Sequence, residues 1–107
     1  MSFMNCNAGK HENEKTLEQK LREGVKRLGG RAIKNGAAGI TGMPDRTIYL
    51  PGNVTYLAEL KSTGQTPNPR QRVVIEEFKA LGYTTFVIDT TEKLNAALLV
   101  MSQNIFL

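Results

Sequence analysis

Arg46-Thr47-Ile48-Tyr49-Leu50-Pro51-Gly52-Asn53-Val54-Thr55-Tyr56-Leu57-Ala58-Glu59-Leu60-Lys61 has the pattern of two strands folded back on each other. Its first five residues alternate as a strand, Pro51-Gly52-Asn53 supplies a tight turn, and Val54 to Lys61 alternate again, which predicts an antiparallel hairpin. A side-chain period of two puts Glu59 and Lys61 on one face of the second strand, about 7 Å apart along it. Asp45 ends a flexible approach, Gly39-Ile40-Thr41-Gly42-Met43-Pro44, and stands at the open end of the first strand. The hairpin therefore brings Asp45, Glu59 and Lys61 together. Two carboxylates can hold a divalent cation and a lysine beside them can stabilise developing negative charge, the parts needed for metal-dependent phosphodiester hydrolysis. Taken alone, a strand ending in Glu-x-Lys also fits a solvated cross-strand charge pair.

Ahead of the hairpin, residues 12–28 carry Leu17, Leu21, Val25 and Leu28 at helical spacing, with Gly29-Gly30 as the stop. Gly30-Arg31-Ala32-Ile33-Lys34-Asn35 is short and partly apolar, a first strand that delivers Lys34 toward the site edge. After the loop Ser62 to Asn68, Pro69 is placed to begin a helix. Val73, Val74, Ile75, Phe78 and Leu81 form its apolar face up to Gly82. Tyr83-Thr84-Thr85-Phe86-Val87-Ile88 is β-branched and aromatic, the composition of an interior strand. A right-handed crossover would set it parallel to its neighbour. Asp89-Thr90-Thr91-Glu92 then starts a last helix striped by Leu94, Ala97, Leu98 and Met101. The expected order is helix, three strands, helix, strand, helix: an α/β domain with a mixed sheet. The sequence holds no internal repeat or low-complexity tract.

At 107 residues there is room for one domain, which should bury about 60 to 70 per cent of its unfolded surface. Residues 1–11 show no period and are expected to form a mobile arm, with residues 12–107 as the domain. No apolar run approaches the roughly 20 residues of a membrane span and no signal pattern opens the chain, so a soluble cytoplasmic protein without a membrane partner is expected. Cys6 has no second cysteine for a disulfide or zinc site, and His11 is equally alone. The net charge is +4, and residues 31–70 hold five basic residues against two acids, Asp45 and Glu59. Lys34, Arg46, Lys61 and Arg70 surround those acids in sequence, as expected where a site must attract a polyanion and hold a cation. With Arg72 beside Arg70, residues Lys34, Arg46, Arg70 and Arg72 are the expected nucleic-acid contacts.

Gly42-Met43-Pro44-Asp45, then Glu59-Leu60-Lys61, then Gly64, and Gln71 within Pro69-Arg70-Gln71-Arg72, resemble the motif series of the VRR-NUC (virus-type replication-repair nuclease) family, a branch of the PD-(D/E)XK nucleases. The helical opening Asn13-Glu14-Lys15-Thr16-Leu17-Glu18-Gln19-Lys20-Leu21, closed by Leu28-Gly29-Gly30, is also similar to that family, so the likeness runs from about residue 13 to about residue 100. The resemblance implies the restriction-endonuclease-like α-β-β-β-α-β core with one added C-terminal helix. It implies that Asp45 and Glu59 bind Mg²⁺ or Mn²⁺, and that Lys61 orients the attacking water or stabilises the transition state. Glu18 matches a position that would add a metal ligand or orient a water. Glu14, one turn earlier, could lean over the site instead, and Glu18 could simply pair with Arg22 at i+4. Gln71 would hydrogen-bond a ligand carboxylate, a metal-bound water or a DNA phosphate. Small members of the family are associated with cleavage of branched DNA as homodimers, which implies a phage-encoded or bacterial endonuclease of Holliday-junction-resolvase type. A less selective nicking or flap nuclease, or a non-catalytic DNA-binding module of the same fold, are the alternatives. The apolar carboxyl end, Leu98 to Met101 and Ile105-Phe106-Leu107, would serve either a dimer interface or the core.

Overall fold

A computed structural model of the chain describes residues 10–36 and 39–105. Its elements are α1 (Glu14–Arg27), β1 (Arg31–Lys34), β2 (Arg46–Leu50), β3 (Val54–Leu60), α2 (Pro69–Ala80), β4 (Thr85–Ile88) and α3 (Thr91–Gln103). Cys6, most of the expected N-terminal arm, and Phe106-Leu107 lie outside the described residues. Among the described residues no helix is long and apolar enough to cross a membrane.

The β2–β3 hairpin forms in the register that its sequence dictates, Arg46 opposite Ala58 and Leu50 opposite Val54. Gly52 and Asn53 make the reversal with φ of 81° and 63°. Asparagine is among the few side chains that tolerate that left-handed region. β1 adds antiparallel to the outer side of β2 and β4 adds parallel to β3, giving the mixed order β1-β2-β3-β4. The Tyr83–Ile88 run was expected to be interior, whereas β4 covers only Thr85–Ile88 and is an edge strand. Composition misleads here because burial comes from the faces: Ile88 is buried under helices although one edge of β4 is free.

Alternation then sorts the sheet into two faces. Ile48, Leu50, Ala58, Leu60 and Ile88 share one face, packed beneath Leu17, Leu21 and Val25 of α1 and Leu94, Ala97 and Met101 of α3. Leu57 and Glu59 alternate to the other face, which α2 covers in part on the crossover from β3 to the parallel β4. The apolar face of α2 is narrower than expected: Val74 is buried, Ile75 and Phe78 are half-buried, and Val73 and Leu81 are 47% and 70% exposed. Its inward stripe is Gln71, Val74, Ile75 and Phe78, at spacings of three and four, so a polar residue stands on the line that meets the sheet.

Each helix is capped at its start. The side chain of Asn13 accepts from the Thr16 amide and that of Thr90 from the Lys93 amide. Asn68 and Gln71 form a reciprocal capping box at α2, with Pro69 in the first turn. Such caps contribute about 1 kcal/mol each, and the box fixes the end of α2 that faces Glu59.

Candidate active site

Asp45 and Glu59 lock the open end of the hairpin to itself. The Asp45 amide donates to Glu59 Oε1 at 3.2 Å, and the Leu60 amide donates to Asp45 Oδ2 at 2.9 Å. Each carboxylate thus holds the partner strand's backbone, one step beyond the Arg46–Ala58 pair. The approach to Asp45 is fixed as well. Asn35 donates its side-chain amide to Pro44 O at 2.7 Å and its backbone amide to Asp45 O at 2.8 Å, while the Thr47 hydroxyl donates to Asn35 Oδ1 at 2.8 Å.

Glu59 is 1% exposed, yet its second oxygen collects two side-chain donors. Lys61 Nζ lies 3.1 Å from Oε2, and Gln71 Nε2 donates to the same oxygen at 2.8 Å. Burial, and then the neighbouring Asp45 carboxylate, push the Glu59 acid above the ordinary range, while Lys61 pulls it back. The hairpin and α2 therefore bring Asp45, Glu59, Lys61 and Gln71 together. The signal that marks Gln71 is its place on the helical stripe with Val74, Ile75 and Phe78, which a period read over those four residues would have found.

Glu18, Arg46 and Lys34 take a different place. Glu18 Oε2 pairs with Arg46 Nη2 at 3.1 Å, so it joins neither the Asp45–Glu59 pair nor Arg22. The reason is the pleat: Arg46 follows Asp45 and points to the opposite face, the one under α1. Lys34 sits opposite Arg46 on the edge strand, exposed, and lines the space between α1 and β1. Glu14 is exposed at the start of α1 and makes no ion pair among the described residues. Arg70 donates from Nε to Thr41 O at 3.1 Å and Arg72 from Nη1 to Pro67 O at 2.7 Å, so both brace loops beside the site. Gly42, at φ 88°, lies against the Arg70 backbone, where a Cβ would meet Arg70 Cγ at 2.9 Å. His11 is exposed.

Sequence reasoning missed a second cluster that holds the loop after β3. Glu12 is 7% exposed and accepts from the Thr91 amide at 2.7 Å, from the Thr91 hydroxyl, and from Lys20 at 3.4 Å. Its carbonyl accepts from the Thr63 amide at 3.0 Å. Asp89 accepts from the Gly64 amide at 2.9 Å and pairs with Lys93 at 2.8 Å. Donors from Thr91 hold Glu12, and Lys93 holds Asp89, below the ordinary carboxyl range. Glu12 precedes the first helical repeat, so periodicity gives it no signal.

The donor set suits a hard cation. Among the described residues no three His, Cys, Asp or Glu side chains gather to form a full protein cage. Mg²⁺ characteristically uses one or two carboxylates and retains several waters. Asp45 and Glu59 fit that requirement: Asp45 Oδ1 has no protein donor among the described residues, and a cation would offset both the burial and the Asp45 repulsion that raise Glu59.

No family model matches the chain. It is 33% identical over 79 residues to "Putative nuclease p44" of Acyrthosiphon pisum secondary endosymbiont phage 1, covering 74% of this chain and 85% of that protein. A solved structure described as a VRR_NUC domain superposes with a TM-score of 0.75 at 26% identity, over 80% of this chain and 94% of the other. Sequence likeness to a phage nuclease and the shared architecture converge, and the chain belongs to the VRR-NUC family of nucleases.

Proposed function

We propose that the chain is a metal-dependent endodeoxyribonuclease whose centre is Asp45, Glu59 and Lys61. The observation that carries this reading is the interlocked carboxylate pair, with Lys61 Nζ 3.1 Å from the buried Glu59. Asp45 and Glu59 would hold Mg²⁺ or Mn²⁺, which when bound would supply Lewis acidity for phosphodiester hydrolysis. Lys61 places a positive charge beside that position, where it orients the attacking water or meets charge developing on phosphorus. Gln71 sets the Glu59 rotamer through its 2.8 Å bond, so that α2 and β3 stay in register at the site. Arg70 and Arg72, on the first turn of α2, face incoming DNA from the same end.

The preferred substrate we assign is branched DNA, cut by a homodimer in the manner of a junction resolvase, inside a bacterial cell and encoded by a phage or by the bacterium. One 107-residue chain carries one Asp45–Glu59 site, and symmetric incision of two strands needs two sites related by a two-fold axis. The test is incubation with labelled four-way junction, flap, nicked, single-stranded and linear duplex DNA, with Mg²⁺, Mn²⁺ or chelator. Metal-dependent cleavage with junctions preferred is the expected result. Equal cleavage of all substrates would leave a less selective nicking or flap nuclease, and binding without cleavage would leave a non-catalytic module.

A further inference from the structure

We infer that the groove between α1 and the edge strand β1 binds the sugar–phosphate backbone of DNA running away from the Asp45–Glu59 site. The groove is an open space of about 910 Å³. Its basic lining is Lys15, Arg22, Lys26, Arg31, Lys34 and Arg46, against two acids, Glu18 and Glu23. That excess equals the net charge of the whole chain, +4, so the remainder of the molecule is balanced. The excess is also free to act: Lys15, Arg22, Lys26, Arg31 and Lys34 make no ion pair among the described residues. Both acids are engaged within the groove, Glu18 by Arg46 at 3.1 Å and Glu23 by Gln19 at 3.3 Å.

Arg46 supplies an independent observation. Its side chain is 10% exposed, fixed by Ala32 O at 3.1 Å and by Glu18, and its buried Nε has no partner. Because that Nε is itself buried, Arg46 offers the groove a fixed, preorganised positive charge and not an open donor. The free edge of β1 adds backbone N–H groups, which commonly contact phosphates. Geometry gives the direction. Arg46 follows Asp45, points to the opposite face of the sheet and stands across from Lys34, so the groove starts one residue along the chain from the site and on the other side of the sheet. It then runs toward Lys26 and Arg31, where α1 ends and β1 begins. Lys15 to Lys26 spans about 16 Å of helix, on the order of five steps of a DNA strand.

This inference rests on the reading of the chain as a DNA nuclease, and the test separates the two. Binding of a labelled 30-base-pair duplex in chelator is measured against salt for the wild type, for Arg22→Glu/Lys26→Glu and for the charge-matched Lys10→Glu/Lys79→Glu, whose lysines lie outside the groove. The expected result is a loss of at least about tenfold for the groove variant, with a slope of log K against log salt shallower by about 2, since each lost phosphate contact removes about 0.9. The control should stay close to wild type. Arg22→Gln/Lys26→Gln, which keeps helix-forming side chains, should show the same slope change if charge reversal unfolds the protein. Equal losses in groove and control variants, or no binding by the wild type, would overturn the inference. Cleavage with Mn²⁺ by the wild type is scored separately. A protein that cleaves while its groove variants bind normally loses only the groove, and one that binds through the groove but never cleaves loses only the nuclease reading.

Discussion

Glu59 is where folding and the proposed chemistry meet in this protein. A carboxylate 1% exposed beside a second carboxylate is costly to ionise, and three donors from Asp45, Lys61 and Gln71 offset that cost. Removing it strands those donors. Glu59→Ala should therefore abolish cleavage and also lower stability by about 1–3 kcal/mol, the cost of leaving buried polar groups unpaired. Denaturant unfolding checks the stability loss, and an unchanged midpoint would contradict the geometry. Lys61→Ala should lower turnover by on the order of 100-fold, as for loss of one preorganised donor at a transition state. Single-turnover cleavage reads that loss, and an unchanged rate would make Lys61 only a partner for Glu59. The triad of Asp45, Glu59 and Lys61 was legible in the sequence because a tight turn fixes the hairpin and a period of two fixes the face. Glu18 was not: helical period shows which side a residue occupies, but not that its partner would be Arg46, 28 positions away and turned from Asp45 by the pleat.

Elements position the site through two loops. The loop before β2 passes under α2 at Gly42, whose φ of 88° and 2.9 Å clearance to Arg70 Cγ admit no side chain. Gly42→Ala should cost about 1–3 kcal/mol and lower the melting temperature by several degrees. Gly64→Ala, at the same φ but in open space, should cost less; equal losses would show that backbone strain alone matters. The loop after β3 is clasped by Glu12 and Asp89, both held below the ordinary carboxyl range, Glu12 by Thr91 and Asp89 by Lys93. The native state binds these protons less tightly than the unfolded chain, so their stabilisation is complete above the ordinary glutamate value of 4.5 and is lost as pH falls through the lowered native values. Glu12→Gln should lower the melting temperature near neutral pH and flatten its decline in acid. A parallel decline in variant and wild type would remove the clasp from the acid limb. Most elements were legible from periodicity and caps. The edge position of β4 was not, because a strand covered on its faces by helices has the composition of an interior strand.

For the whole molecule, the sheet separates two surfaces: the carboxylate pair and α2 on one, the basic groove of α1 and β1 on the other, joined where Asp45 passes to Arg46. The outer side of α3 leaves Leu99 and Val100 59% and 38% exposed, a face that the homodimer proposed above would cover. Sedimentation should show a dimer free and on a four-way junction. A monomer in both states that yields only nicked cruciform plasmid would remove the resolvase assignment while leaving the nuclease. What a whole sequence cannot display is how two sheet faces share charge, since Lys15 and Lys34 meet only through the fold. If Asp45 and Glu59 form a metal-dependent cleavage centre, Asp45→Asn should destroy it without disturbing the hairpin. Asparagine keeps an oxygen for the Leu60 amide while removing the charge a cation needs. Across a Mn²⁺ titration, the wild type should cleave labelled DNA and stop in chelator. Asp45→Asn should cleave at about a hundredth of that rate or less, with its DNA affinity in chelator preserved. Cleavage by Asp45→Asn at the wild-type rate, or cleavage by the wild type in chelator, would mean that Asp45 and Glu59 are not a metal-dependent cleavage centre.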